Sequence, residues 1–427
     1  MEGVRASLEQ ARNKLMQTKL GRKFWISMLI FGLMGQVAWV VENMYFNVFI
    51  YKMFHAGASD ISAMVMASAV VAALTTIIMG AVSDKVGKRK AFMSVGYIIW
   101  GITIIVFAYI RSITLTIVMD CVMTFFGSTA NDAAYNAWLT DRGDDTNRGK
   151  IEGFNSMMPL VSILIVFGGF MSFDLDKQGS WTTIYYIIGI ATTVIGIIGW
   201  FIIEDAPDIR KNTQPLGQVL LYSFRPSTAS QNKRLYAVLG AFAVFGISIQ
   251  IFMPYLIIYY EKSLGMSNYV LIMAPAIIVA AVVTALYGKV YDSRGFGFSL
   301  VPSLAMLMAG YVCLFFFRSM IPVFIGSLLM MSGYLTGMSV FGAQIRDLIP
   351  ENRAGQFQGV RIIGQVFIPG LIGPFIGSAV LKNAELIVNS DGTTSFLPNR
   401  SIWLAAFAAA VVLCIAAALL RRVKANK

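Results

Sequence analysis

The stretch Gly80-Ala-Val-Ser-Asp84-Lys-Val-Gly87-Lys88-Arg89-Lys90 decides how this chain is read. It lies between two apolar runs, 60–83 and 91–110, each long enough to cross a bilayer. Its pattern, Gly-x-x-x-Asp-x-x-Gly followed by cations, returns 208 residues later in weaker form as Gly288-Lys-Val-Tyr-Asp292-Ser-Arg-Gly295. A second pair of loops agrees. Asp141-Arg-Gly-Asp-Asp-Thr-Asn-Arg148-Gly149 with Gly153 behind it matches Asp347-Leu-Ile-Pro-Glu-Asn-Arg353-Ala-Gly355 with Gly359 behind it, at offsets of 205–206. Two independent loops on nearly one offset predict two related halves.

The surroundings of these loops are apolar. The 427 residues are 57% hydrophobic and 13% charged, whereas soluble domains carry about 25% charged residues. Twelve runs approach or exceed spanning length: 24–51, 60–83, 91–110, 112–139, 151–172, 181–203, 236–260, 266–287, 298–317, 320–345, 356–381 and 401–420. The expected fold is all-α and membrane-integral, with twelve transmembrane helices in two six-helix, pseudo-symmetric bundles. An even number of spans per half keeps the repeats parallel. Expected boundaries are a cytoplasmic segment 1–23, a first bundle 24–203, a linker 204–235, a second bundle 236–420 and a tail 421–427. In the first segment Val4, Leu8, Leu15 and Leu20 recur at near-helical spacing, which suits either an interfacial helix or a basic tail.

The formal charge of +12 is topological. With the N-terminus inside, the outer loops hold only Lys52, Arg111, Lys177, Lys262, Arg318, Lys382 and Arg400, and all other Lys and Arg fall on the opposite face. That asymmetry predicts cytoplasmic termini in a plasma (cell inner) membrane and gives no footprint for nucleic acid. Cys121, Cys313 and Cys414 lie in different spans without pair spacing, so neither a disulfide framework nor a metal site is expected. The single histidine, His55, sits in an outer loop, which excludes Ser-His and Cys-His catalysis. Gly80 to Lys88 fails as a phosphate loop, because its glycines are misplaced and Arg89 follows the lysine. No enzyme activity and no cofactor are expected, and uphill work must draw on a gradient.

Polar residues inside the spans mark the candidate path. In helix 1, Gln36, Trp39, Asn43 and Asn47 fall within about 80° of one another on a helical wheel. Amides in lipid are costly unless paired, so this face should look inward. Glu42 points about 100° away, towards a neighbouring helix. In helix 4, Asp120, Thr124, Asn131 and Tyr135 share a stripe, with Asp132 off it. Glu42, Asp120 and Asp132 are the ion-coupling candidates, since a carboxylate within a bilayer is a functional candidate by default. Solute-binding candidates are Gln36, Trp39, Asn43, Asn47, Asn131 and Tyr135 in the first half, and Gln250, Tyr255, Tyr334, Arg361 and Gln365 in the second. Pro254, Pro369 and Pro374 should weaken their helices locally. Segment 383–399, with Asn389-Ser-Asp391-Gly392 between β-prone runs, suits a small outer hairpin without evident chemistry.

These residues resemble the major facilitator superfamily. Gly80, Asp84, Gly87, Lys88 and Arg89 look like its loop signature between helices 2 and 3, and Gly288, Asp292 and Gly295 like the degenerate counterpart between helices 8 and 9. The resemblance covers essentially the whole chain and implies alternating access, with two bundles rocking about a midplane site. It also implies that Asp84 pairs with the facing half and holds the cytoplasmic side shut, with Asp292 its pseudo-symmetric partner. Asp141, Arg148, Asp347 and Arg353 join this gating set by the loop repeat. Helix 4 lacks the arginine, and helix 5 the Gly-Pro, of the superfamily's proton-coupled drug antiporters. Gly373-Pro374 occurs on helix 11 instead. The amide and aromatic face of helix 1, with Asn131 and Tyr135 opposite, suits a hydroxyl-rich solute, a loose likeness to sugar–cation symporters, although helix 2 lacks their paired acids. The reading is a monomeric secondary transporter of a sugar or glycoside, coupled by symport to H+, with Na+ the other option. The alternatives are efflux of amphipathic compounds, lipid-headgroup flipping, or a receptor or scaffold that transports nothing.

Overall fold

The computed structural model describes residues 20–143, 147–206, 223–349, 354–389 and 392–425. The start of the N-terminal segment, most of the linker, Arg353, the turn residues Ser390 and Asp391, and the side chain of Arg148 lie outside the described residues. Apolar runs bounded by charge become helices α1 (Arg22–Phe54), α2 (Ala58–Val86), α3 (Arg89–Tyr109), α4 (Ile113–Arg142), α5 (Arg148–Phe170), α6 (Gln178–Ile202) and α7 (Lys233–Ser263). The segment Val270–Phe316 contains α8 and α9, separated where Gly295 leaves helical geometry at φ 71° and ψ 178°. α10 (Met320–Leu348), α11 (Gly359–Val380) and α12 (Ser401–Ala425) complete the set. Nine helices among the described residues are long and apolar enough to cross a membrane, the 47-residue pair counting as one. α5 and α12 bring shorter apolar stretches, Met157–Phe170 and Ser401–Ile415. The end bearing Arg22 is called inner below, following the charge asymmetry.

Several helices outrun their apolar runs. α2 continues to Val86, so Asp84 stands on its last turn, and Gly87 at φ 68° ends it in the left-handed conformation that glycine adopts without strain. Arg89 then opens α3 directly. The signature is therefore a helix end and a helix start, with Gly87 and Lys88 as the joint. Gly80 has open space where a side chain would be, as does Gly288, so neither makes a close helix approach.

Close approach occurs elsewhere. α3 and α6 meet through Gly101, Gly189 and Gly196. Small residues let helix backbones touch, which is how membrane helices gain packing without a hydrophobic drive. A Cβ at Gly101 would overlap the Gly189 carbonyl and sit 2.5 Å from Thr193 N. Gly101→Ala is expected to cost about 3 kcal/mol by overpacking, read as a lowered melting temperature of the purified protein. Gly80→Ala should leave it unchanged.

The halves meet along two seams. α2 runs along α11, where Gly370 makes room for Ala69, and α5 meets the α8–α9 pair, with Phe167 6.0 Å from Tyr269 ring to ring. Advancing each helix number by six exchanges one seam for the other, as a duplicated bundle requires. Pro254 breaks α7 into a tight 3-10 turn over Met253–Tyr255. The outer hairpin forms, with β1 (Leu386–Val388) antiparallel to β2 (Thr394–Phe396) and Ile387 opposite Ser395.

Candidate transport site and gates

Among the described residues, four of the membrane helices contain a wider π-turn: Val41–Tyr45 in α1, Ser128–Tyr135 in α4, Tyr259–Ser263 in α7 and Ile363–Phe367 in α11. Each holds an acid or an amide: Glu42, Asn131 with Asp132, Glu261, and Gln365. A π-turn adds one residue to an α-turn, and such turns recur at functional sites. Every residue beyond it is displaced from the α-helical wheel.

That displacement splits the expected stripe on α1. Gln36 and Trp39 are half-buried and Asn43 is exposed midway along the helix. Lipid exposure of an amide is costly, and Asn43 Nδ2 is met by the Trp39 carbonyl at 2.8 Å. Asn47, past the π-turn, is fully buried and donates to the Asn43 carbonyl at 2.9 Å. Trp39 meets Trp100 at a tilt of 50°, with ring centroids 5.2 Å apart, above Gly127.

Glu42 turns away from the exposed Asn43, as its wheel position predicts, and meets α4. Its Oε1 accepts from Thr124 Oγ1 at 2.8 Å. Glu42 and Asp120 are 6% and 1% exposed. They lie next to each other, with Ser68 of α2 beside Asp120. Glu42 Oε2 and Asp120 Oδ1 have no hydrogen-bond partner. Two sealed carboxylates with two unsatisfied oxygens are an arrangement that only a proton or a small cation relieves at low cost. Asp132 is half-buried beside Ser128, Asn131 and Trp39.

Three further candidates belong to packing in this conformation. Asn131 fits against Gly35 and accepts from Tyr97 Oη at 3.2 Å. Tyr135 donates to the Met28 carbonyl at 3.0 Å beside Gly32. Both tie α4 to its neighbours, because the π-turn at 128–135 rotates them off the face of Asp120 and Thr124. Tyr255 is fully buried and donates across the halves to the Ala58 carbonyl at 3.0 Å. Gln250, Tyr334, Arg361 and Gln365 keep partial exposure, and Arg361 Nε donates to Gln365 Oε1 at 3.3 Å.

At the inner end, Arg89 is the hub. Its Nη2 donates to Asp84 at 2.6 Å and its Nε to Asp141 at 2.8 Å, while Nη1 donates to Ser83. Asp84 is thus held within its own half. The second half repeats the theme with different chemistry, Tyr291 Oη donating to Asp347 at 2.6 Å while Asp292 lies exposed. The outer end carries bonds between halves that the sequence reading missed. Lys52 of α1 reaches Glu261 of α7 at 2.6 Å, and Tyr45 shares a hydrogen bond with Tyr269 at 3.0 Å; within its own half Lys52 also meets Asp176 at 3.2 Å. The outer side is closed. The available signal was the repeat itself: Lys52 and Glu261 are 209 residues apart, so they face each other across the pseudo-axis with opposite charge.

Lys52→Met leaves Glu261 without its buried partner, although Lys262 at 3.5 Å takes part of the load. A loss of about 1–2 kcal/mol is expected from the unpaired acid, seen as a lower melting temperature. Lys52→Met with Glu261→Met should recover most of it, since the cost lies in the orphaned charge.

A sequence model of the Major Facilitator Superfamily matches residues 24–374. The chain belongs to this superfamily. Among curated relatives, sugar efflux transporter B of Salmonella typhimurium is 24% identical over 184 residues, 43% of this chain and 46% of that protein. Sugar efflux transporter A of Dickeya chrysanthemi is 23% identical over 143 residues, 34% of this chain and 36% of that protein. The match spans less than half the length of these relatives. Among solved structures, the nucleoside transporter NupG superposes with a TM-score of 0.71 at 13% identity, over 92% of this chain and 98% of its own. The xylose transporter XylE from E. coli, in a partially occluded inward open conformation, gives 0.66 at 13% identity over 93% and 97%. At these identities the likeness is one of fold. It fits a multi-pass transporter of the superfamily that is not an enzyme.

Proposed function

We propose that this superfamily member moves a sugar or glycoside by alternating access, coupled to protons through Glu42 and Asp120. The observation that carries the reading is the sealed carboxylate pair, bridged to α4 by Thr124, one residue from the exposed Asn43. Binding and coupling groups on the same turn of α1 give solute and proton a shared mechanical element. Gln36, Trp39 and Asn43 supply amide donors and acceptors and a flat apolar surface suited to a sugar ring. From the second half, Gln250, Tyr334, Arg361 and Gln365 complete the site. The bundles 24–203 and 236–420 rock as units in the cell inner membrane, and a monomer suffices because one chain carries both. Asp84 leaves Arg89 for the facing half when the outer side opens.

Symport is the first reading. A second, export by exchange against protons, is favoured by the names of the relatives, which are sugar efflux transporters. Proteoliposomes loaded with a panel of mono- and disaccharides test both. An imposed pH gradient is expected to drive at least one sugar uphill, with the proton in symport and against it in exchange. Absence of flux for every sugar, with nucleosides or drugs carried instead, would sink the cargo assignment.

A further inference from the structure

The outer hairpin is not idle. β1 and β2 belong to the connection between α11 and α12, in the second half, yet their inward groups bind the end of α1, in the first. His55, which follows α1, is the only non-glycine residue with positive φ among the described residues, at 52°. That backbone turns its ring towards the hairpin. Asn389 Nδ2 donates to His55 Nδ1 at 3.1 Å, leaving Nε2 to donate to Thr393 Oγ1 at 3.2 Å. Ser395 Oγ stands 3.4 Å from Nδ1. One turn earlier, Tyr51 Oη donates to the Phe396 carbonyl at 2.8 Å and its ring meets Phe396 edge-on at 5.3 Å.

We propose that this hairpin is a strap across the outer entrance and that His55 is its buckle, a positioning residue whose release accompanies each opening to the outside. The hairpin is built to arrive preformed. Asn389 Nδ2 also lies 3.0 Å from Thr393 Oγ1 and 2.9 Å from Ser395 Oγ, so in the absence of His55 its two hydrogens serve those two hydroxyls, and its backbone N–H bonds Thr393 O at 2.8 Å. The three groups that receive His55 are therefore fixed by one another before it docks. The opposite face is unpacked: Leu386 and Val388 are 64% and 75% exposed. Its one buried apolar anchor is Phe396, which meets Tyr255 of its own half as well as Tyr51 of α1; with no apolar face committed beneath β1, the hairpin parts from α1 by breaking the His55 and Tyr51 contacts and stays with the second half. The inference rests on alternating access, but its test needs no solute, so a wrong cargo leaves it intact.

The full-length protein in lipid nanodiscs, with its three cysteines changed to serine, carries spin labels at Tyr109→Cys and Met320→Cys, outer positions on opposite halves that are 65% and 59% exposed. Double electron–electron resonance then reads the outer separation. His55→Ala and Thr393→Val are each expected to raise the population at long distance at least threefold, with the melting temperature retained. His55→Asn, which tolerates left-handed backbone and keeps an amide donor and acceptor, should stay within twofold of the parent. Val388→Thr, on the outward face, should change nothing. Parental distance distributions in both His55→Ala and Thr393→Val would overturn the strap, as would an equal shift in Val388→Thr.

Discussion

Glu42→Gln combined with Asp120→Asn abolishes proton-driven accumulation while downhill exchange of the solute continues. One pH unit carries about 1.4 kcal/mol per proton, which at one-to-one coupling sustains a roughly tenfold solute ratio across the membrane. The double variant should bring that ratio to about one. The fold should survive, because glutamine keeps an oxygen for the Thr124 hydroxyl and asparagine keeps the shape of Asp120 beside Ser68. The melting temperature should hold or rise, since the substitutions remove two sealed carboxylates, each with an oxygen that nothing satisfies. A pH dependence of uptake that persists in this variant would assign proton coupling elsewhere, with Asp132 the next place to look.

The second large effect belongs to Arg89. Its side chain is 5% exposed and spans two carboxylates that are themselves 38% and 23% exposed. Arg89→Met strands Asp84 and Asp141 together. Both retain some water, so the loss should be about 2–3 kcal/mol, below the 3–5 kcal/mol of a fully buried broken pair. Arg89→Lys should recover little, because a single ammonium does not reproduce the fork that serves Asp84, Asp141 and Ser83 at once. A chemical denaturation midpoint unmoved by Arg89→Met would show the hub to be ornamental.

The parts of this molecule readable in advance were those governed by solvent cost. A helix that crosses lipid must be apolar for its whole width, and a charged loop repeated at a fixed offset is hard to obtain without duplication. Twelve rods in two related halves followed from those constraints, and the outer hairpin from its turn residues. The direction of Glu42 was also legible, since it lies at the very start of its π-turn. Asn47, Asn131 and Tyr135 lie off the faces drawn for them for one shared reason. A wheel drawn at 100° per residue assumes an unbroken α-helix, and no propensity rule flags the π-turns at 41–45 and 128–135. Tyr45 and His55 were invisible for another, and Lys52 showed only through its offset of 209 residues from Glu261. Their partners lie more than two hundred residues away, and their significance depends on which face of the molecule is shut.

The wide turn in α1 also bears on how such a protein tolerates change. Because that turn already absorbs one surplus residue, losing one between Val41 and Tyr45 would restore a regular helix and leave the outer third of α1 facing as it does now. The helix could shorten by one rise without turning Asn47 or Lys52 away from their present neighbours. A one-codon deletion, ruinous in most spans, has a place here where it can be accommodated.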